Sequence, residues 1–334
     1  FMLLFQDGIT KVARLPVRLE ERDFTENCYS RRLSRIRIRI LRRSKMEKYL
    51  IVTDTTSAMD QEIAQKNGIE LISLSVIVDG HEYKDQIDIS TKQLYDYLRD
   101  GKIPSTSQPN TGYLVEQMEK WQEEDYEAII IITCSADLSG TNNGFHLAKD
   151  TVGLDNVYIY DSRQVGAPIM DMAICAKQLA DEGKTVSWKD IRICTTALEE
   201  KTNHSFSFLY PDNFKQLSRS GRLSPMAARM ASMLKIKALL CLDEQGKAVD
   251  KYTMARTEVK ILKSIVDKFH ELGVNAKQHK IYISHADNEI FAKKAKLLFQ
   301  TTFHGIDVEI NYLPAVLTCH GGLACCAIHT TYKI

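Results

Sequence analysis

From Lys48 onward, short apolar runs alternate with stretches whose apolar residues recur every three or four positions, the pattern of buried strands separated by amphipathic helices. Tyr49 to Thr53 predicts a strand running into Asp54-Thr55-Thr56-Ser57, then a helix from about Met59 to Asn67 that stops at Gly68. Leu71 to Val78 predicts the next strand, Asp79-Gly80 a turn toward His81-Glu82-Tyr83, and Ser90 with Gln93 a capping box for a helix carrying Leu94, Tyr97 and Leu98. The polar segment Pro104-Ser105-Thr106-Ser107-Gln108-Pro109 reads as a loop. A helix with Leu114, Met118 and Trp121 on one face leads to Ala128 to Thr133, a largely apolar run expected to be a parallel strand buried on both faces. Leu138-Ser139-Gly140-Thr141 then opens a helix to about Lys149, and Val157 to Tyr160 predicts a third core strand ending in Asp161-Ser162. Residues 170 to 202 are expected to be helical. Ser205 to Tyr210, Ala238 to Asp243, Ala248 to Met254, Lys280 to Ala286 and Asp307 to Leu313 are strand candidates between further helices.

This grammar defines an α/β protein, and 334 residues at 44% hydrophobic are enough for two cores. We expect a domain over 46–165 and another over 166–334. The net charge of +1 hides an asymmetry, because residues 1–45 hold 12 of the 44 Lys/Arg but only 5 of the 43 Asp/Glu. Arg31 to Lys45 carries 8 basic and no acidic residues, with Ile36, Ile38 and Ile40 alternating against arginines. Such a tail suits nucleic acid or anionic lipid. The expected alternative is a basic extension outside the fold, translated from upstream of Met46, since the strand and helix grammar starts there. The mildly acidic remainder lacks a basic face, so no nucleic-acid partner is expected for the body. Eight cysteines, at 28, 134, 175, 194, 241, 319, 325 and 326, form no CxxC pair, which argues against a disulfide framework or zinc site and for a reducing, cytoplasmic setting. No stretch of about 18 apolar residues is present to span a bilayer.

The candidate chemistry lies in the two polar segments. Loops at the carboxyl ends of strands in open α/β sheets gather free amides and helix N-termini, and so receive ligands. Thr106, Ser107 and Ser139, with the amides of Gly140 and Thr141, suit a small anionic head group held without a nearby cation. The same hydroxyls also suit helix caps, Thr141 above all. Motifs of autonomous catalysis are absent: there is no Walker A loop, GxGxxG, HExxH or GxSxG, and Ser232-Met233-Leu234-Lys235 lacks the elements that accompany a functional SxxK. No catalytic residue, metal site or cofactor is expected.

Nine segments, in order, resemble the DegV family of bacterial fatty-acid-binding proteins: YLIVTDTTS at 49–57, LSVIVDGHEYKDQIDIS at 74–90, IPSTSQP at 103–109, the strand plus LSGT at 128–141, YDS at 160–162, LSRSGRLS at 217–224, LKIKALL at 234–240, ISHADN at 283–288 and HGG at 320–322. The resemblance covers about residues 46–330. It implies two unlike α/β domains, the first with a mainly parallel sheet flanked by helices and the second a smaller mixed one, with a long-chain fatty acid buried at or near their interface. It further implies a non-enzymatic, lipid-carrying subunit in phospholipid metabolism, which presents the carboxylate to a separate ATP-binding fatty acid kinase subunit and touches membranes transiently to exchange lipid. The resemblance adds His320 to the carboxylate site and makes Arg219 and Arg222 candidates for docking the partner. A self-contained small-molecule kinase or transferase half related to dihydroxyacetone kinase is the alternative. The chain departs from the family pattern at Gly322-Leu323-Ala324, where Gly-Pro-Gly is usual, at Ala238, and at Gly166-Ala167-Pro168. Each lost Gly or Pro changes the permitted backbone angles.

Overall fold

A computed structural model describes residues 49–124, 126–182, 192–212, 214–229 and 236–334. The basic extension, the Ser232–Lys235 tetrapeptide and Cys28 lie outside the described residues.

The first sheet is parallel throughout, with strand order β2-β1-β6-β7, where β1 is Tyr49–Asp54, β2 Ile69–Ile72, β6 Ala128–Thr133 and β7 Val157–Asp161. Alternation along each strand sends side chains to both faces. Leu50, Val52, Ile129 and Ile131 pack with Leu114, Met118, Trp121 and Phe145 of two covering helices, Thr111–Glu124 and Thr141–Val152. Ile51, Ile130 and Ile132 pack on the opposite side with the helix Ala167–Asp181. The continuous apolar run at 128–132 is therefore the consequence of a strand covered twice.

The second sheet has six strands in the order β10-β9-β8-β13-β11-β12: β8 Phe206–Tyr210, β9 Lys237–Leu242, β10 Val249–Ala255, β11 His279–His285, β12 Asp307–Tyr312 and β13 Cys326–Tyr332. Only β11 and β12 pair in parallel; the other neighbours are antiparallel. Its core joins Phe208 and Tyr210 to Phe269, Phe291 and Phe299 from helices Glu258–Glu271 and Glu289–Thr302. The expected parallel sheet flanked by helices, accompanied by a further mixed sheet, is what the structure holds. The division expected near residue 165 falls just before the Ala167–Asp181 helix, which meets the parallel sheet on one side and Tyr282 of β11 on the other. There Tyr282 Oη donates to Asp171 at 3.0 Å, and Lys201 Nζ lies 2.6 Å from the same carboxylate.

Two local expectations change. Leu71 to Val78 is two strands rather than one, because Ser73 and Leu74 turn the chain out of the parallel sheet, with the Leu74 amide donating to Thr55 Oγ1 at 3.1 Å. The second piece, β3 (Ser75–Val78), joins β4 (His81–Lys84) and β5 (Ser105–Ser107) in a small antiparallel sheet, so the 104–109 segment contains a strand and not only a loop. Of the 170 to 202 region, the described residues form the helices Ala167–Asp181 and Arg192–Asn203, and residues 183–191 lie outside the described residues. By contrast, the Ser90–Gln93 capping box is formed on both sides, and Asp79-Gly80 turns the β3–β4 hairpin with φ of 50° and 81°. The small sheet carries the C-terminal helix Ala315–Gly321 on its apolar face, through Leu74, Val76, Ala315, Val316 and Cys319. Residues about 240 positions apart in sequence thus share one core.

Gly246 makes a second long-range tie: it accepts from Ser135 Oγ at 2.6 Å, joining the β9–β10 hairpin to the loop after β6. Its φ is +73°, and a β-carbon there would stand 2.4 Å from the backbone oxygen of Arg163. Gly80, with φ of +81°, has nothing within 4 Å of that position. Gly80→Ala should therefore cost about 1–2 kcal/mol of left-handed strain alone, whereas Gly246→Ala should cost clearly more because backbone must move. Urea unfolding of the two variants checks this, and equal losses would contradict it.

Candidate functional site

A partly open cavity lies where the parallel sheet, the small sheet and the six-stranded sheet converge. Its walls are mainly aliphatic, with Leu74, Val165, Leu209, Leu217, Val249 and Leu317 contributed by elements from both halves of the chain. Thr106, Ser139, Arg222 and His320 give it a polar end.

Each polar group has a local reason for its position. On β5 alternate side chains face opposite ways. Thr106 thus turns toward the Ala315–Gly321 helix, where its Oγ1 lies 2.9 Å from His320 Nε2, while Ser107 donates to its neighbour Gln108 O at 3.0 Å and does not line the cavity. Ser139 precedes the Thr141–Val152 helix; its Oγ lies 2.9 Å from Thr141 Oγ1 and accepts from the Thr141 amide at 3.3 Å. Thr141 is fully buried behind Ser139 and Gly140 faces an adjoining open hollow, so neither lines the cavity itself. Gln108 joins the two polar segments: a β-carbon on Gly140 would coincide with the Gln108 side-chain oxygen. The close packing of Gln108 on Gly140 was not anticipated.

Arg222 also sits otherwise than expected. Its Nε donates to Leu138 O at 3.3 Å and its Nη1 to Ser220 O, so the guanidinium is held on the cavity wall next to Ser139, while the residue remains exposed. The polar end of the cavity, expected to lack a nearby cation, therefore has one. Arg219, the last residue of the helix Phe214–Arg219, is exposed and away from the cavity wall.

Burial, with the Arg222 charge beside it, pushes the His320 pKa down to about 4, so the ring is neutral at physiological pH. Burial raises Cys134 in the wall, which keeps it a thiol and not a nucleophilic thiolate. Among the described residues no cluster of His, Cys, Asp and Glu could hold a metal ion, and no helix is long and apolar enough to cross a membrane. Behind His320, Asp85 lies under the N-terminus of its helix with Val316 N at 3.5 Å; burial pushes Asp85 up to about 7.

A mixed α/β body built around an apolar cavity with one polar, cation-flanked end defines a class of ligand-binding protein. The chain belongs to the DegV family: the family model described as "Uncharacterised protein, DegV family" matches residues 48–333. A DegV domain-containing protein of Listeria innocua is 26% identical over 277 residues, 83% of this chain and 95% of that protein. Among solved structures, DegV of Bacillus subtilis, a fatty acid binding protein, matches with a TM-score of 0.73 at 26% identity, over 86% of this chain and 100% of that one. A DegV family protein from Thermus thermophilus, whose structure concerns fatty acid binding, matches with a TM-score of 0.77 at 22% identity over the same shares, 86% and 100%.

The buried titratable groups act in opposite directions. Asp85, at about 7 against an ordinary 3.8, keeps in the folded state a proton the unfolded chain has lost, so its contribution falls as pH rises through that window. His320 and His329, at about 4 and about 3 against 6.5, leave the unfolded chain more protonated between those values, so their contribution grows as pH rises toward 6.5. Asp85→Asn removes the first effect alone. Its thermal midpoint, relative to the parent protein, should rise steadily between about pH 4 and 7; a constant or falling difference would contradict the assignment.

Proposed function

We propose that this protein binds a long-chain fatty acid, with the carboxylate at Thr106, Ser139, His320 and Arg222 and the tail in the aliphatic cavity, and presents it to a separate ATP-binding kinase subunit. The observation that carries the proposal is a cavity that is aliphatic along its walls and polar at one end. Removing a C16 tail from water contributes about 0.8 kcal/mol per methylene, roughly 11 kcal/mol in gross transfer before the costs of association. The tail thus supplies affinity, and the polar end supplies orientation.

A carboxylate taken from water needs several donors. With the ring proton of neutral His320 on Nε2, the imidazole donates to Thr106 Oγ1 and leaves the threonine hydroxyl hydrogen for the carboxylate. Ser139 contributes a second hydroxyl, with Gly140 and Thr141 shaping its turn, and Arg222 a positive charge. In that tautomer His320 takes no proton from Thr106, which favours a carrier over an enzyme. Because Arg222 is exposed while lining the cavity, it reaches both the head group and any protein docked over the mouth, with Arg219 nearby on the same surface segment. Guanidinium groups there suit stabilisation of a transferring phosphoryl group. A cytoplasmic carrier of this kind exchanges lipid by transient contact with a membrane.

Calorimetric titration with palmitate tests the head-group assignment. Ser139→Ala should weaken binding by about 1–3 kcal/mol, roughly 5- to 150-fold; an affinity equal to the parent's would move the carboxylate elsewhere. Acyl phosphate should form from ATP only when the palmitate-loaded protein and the kinase subunit are mixed. Its formation by the carrier alone would overturn the carrier assignment.

A further inference from the structure

A second polar group faces the cavity, and an unsubstituted acyl chain leaves it without a partner. His329 is 1% exposed and lines the cavity with Gly166 and Ala327, and its Nε2 has no hydrogen-bond partner. Its Nδ1 lies 2.7 Å from Ser207 Oγ, and that hydroxyl also lies 3.3 Å from Gln164 Oε1. The ring reaches the cavity wall because residue 166 is glycine: a β-carbon there would stand 2.9 Å from Nε2.

The position is remote from the head-group end along the strand. The residue before β13, Cys325, packs on Gly321 at the end of the His320 helix. From there β13 runs past the Ala327–Leu209 pair to the His329–Ser207 pair, a further step of about 6–7 Å for each two residues. The imidazole thus stands beyond the Gly321 contact along β13, beside the part of a bound chain farther from Thr106 and His320.

The chemistry of the missing partner follows from the network. If the Ser207 hydroxyl donates to Gln164, it accepts from Nδ1–H and Nε2 presents a lone pair; if it donates to Nδ1, Nε2 carries the hydrogen. A hydroxyl satisfies either tautomer, being donor and acceptor at once, whereas a carbonyl satisfies only one. A second carboxylate is disfavoured because only desolvation acts on the ring, with no charged neighbour beside it to pair with an anion. We propose that the acyl chain this protein carries bears a hydroxyl group in its distal part, hydrogen-bonded to His329 Nε2, which makes His329 the residue that selects hydroxylated over plain fatty acids. This inference rests on the fatty-acid assignment made above.

Displacement titrations on the full chain, with C16 and C18 acids hydroxylated at successive distal positions and with palmitic and stearic acids as references, test it. In the parent protein at least one hydroxylated isomer should bind about five-fold or more tighter than its reference, the gain expected when a buried polar atom acquires its partner. His329→Leu should abolish that preference while retaining the references. The comparison within the parent protein stands even if the variant fails to fold. References that bind with no isomer preferred would overturn the proposal and leave the fatty-acid assignment intact, and a preference surviving in His329→Leu would overturn the role of His329. Failure of every acid to bind would instead defeat the fatty-acid assignment itself.

Discussion

The contact between Thr106 and His320, 214 positions apart and 2.9 Å long, is the constraint on which the rest of the site depends. It joins the edge strand of the small sheet to the C-terminal helix, and both elements also share the core of Leu74, Val76, Val316 and Cys319. Because that packing removes His320 from water, the ring is neutral and serves as a hydrogen-bond partner and not as a charge. The positive charge at the cavity comes instead from Arg222, which two backbone carbonyls hold at the wall. In the proposed complex, neutral hydroxyls inside and a guanidinium at the exposed edge would divide the tasks of desolvating a head group and leaving it reachable.

Much of this fold was legible because apolar runs report burial directly. Ala128–Thr133 reads as a doubly covered strand and is one, with Ile129 and Ile131 on one face and Ile130 and Ile132 on the other. The parts missed are those where burial leaves no such mark. The strand Ser105–Ser107 consists of hydroxyl residues and exists only because β3 offers an edge. The strand Cys326–Tyr332 mixes apolar residues with His329, Thr330 and Thr331, yet it lies between β8 and β11, paired to both. Long-range pairing, not local propensity, decides such segments.

The site was legible as two polar segments, but their geometry was not. Strand alternation at 105–107 separates Thr106 from Ser107, a distinction a loop reading cannot make. Arg222 reaches the carbonyl of Leu138 across 84 positions, so no local pattern shows the cation beside Ser139. The Ala324 position illustrates the reverse case, in which a departure from the family pattern is absorbed. Its φ of 60° is the left-handed conformation that favours glycine, and the chain holds it through the Ala324 amide donating to Ala286 O at 2.6 Å and Asn288 Nδ2 donating to Ala324 O at 2.9 Å. The backbone beside His320 therefore holds a left-handed residue without glycine.

A crystal structure of the protein with palmitate tests the central claim most directly. The account predicts a carboxylate oxygen within about 2.5–3.0 Å of both Thr106 Oγ1 and Ser139 Oγ, with the tail running along Leu74, Leu209 and Leu317. A carboxylate bound away from those hydroxyls, or a tail lying outside this cavity, would contradict it.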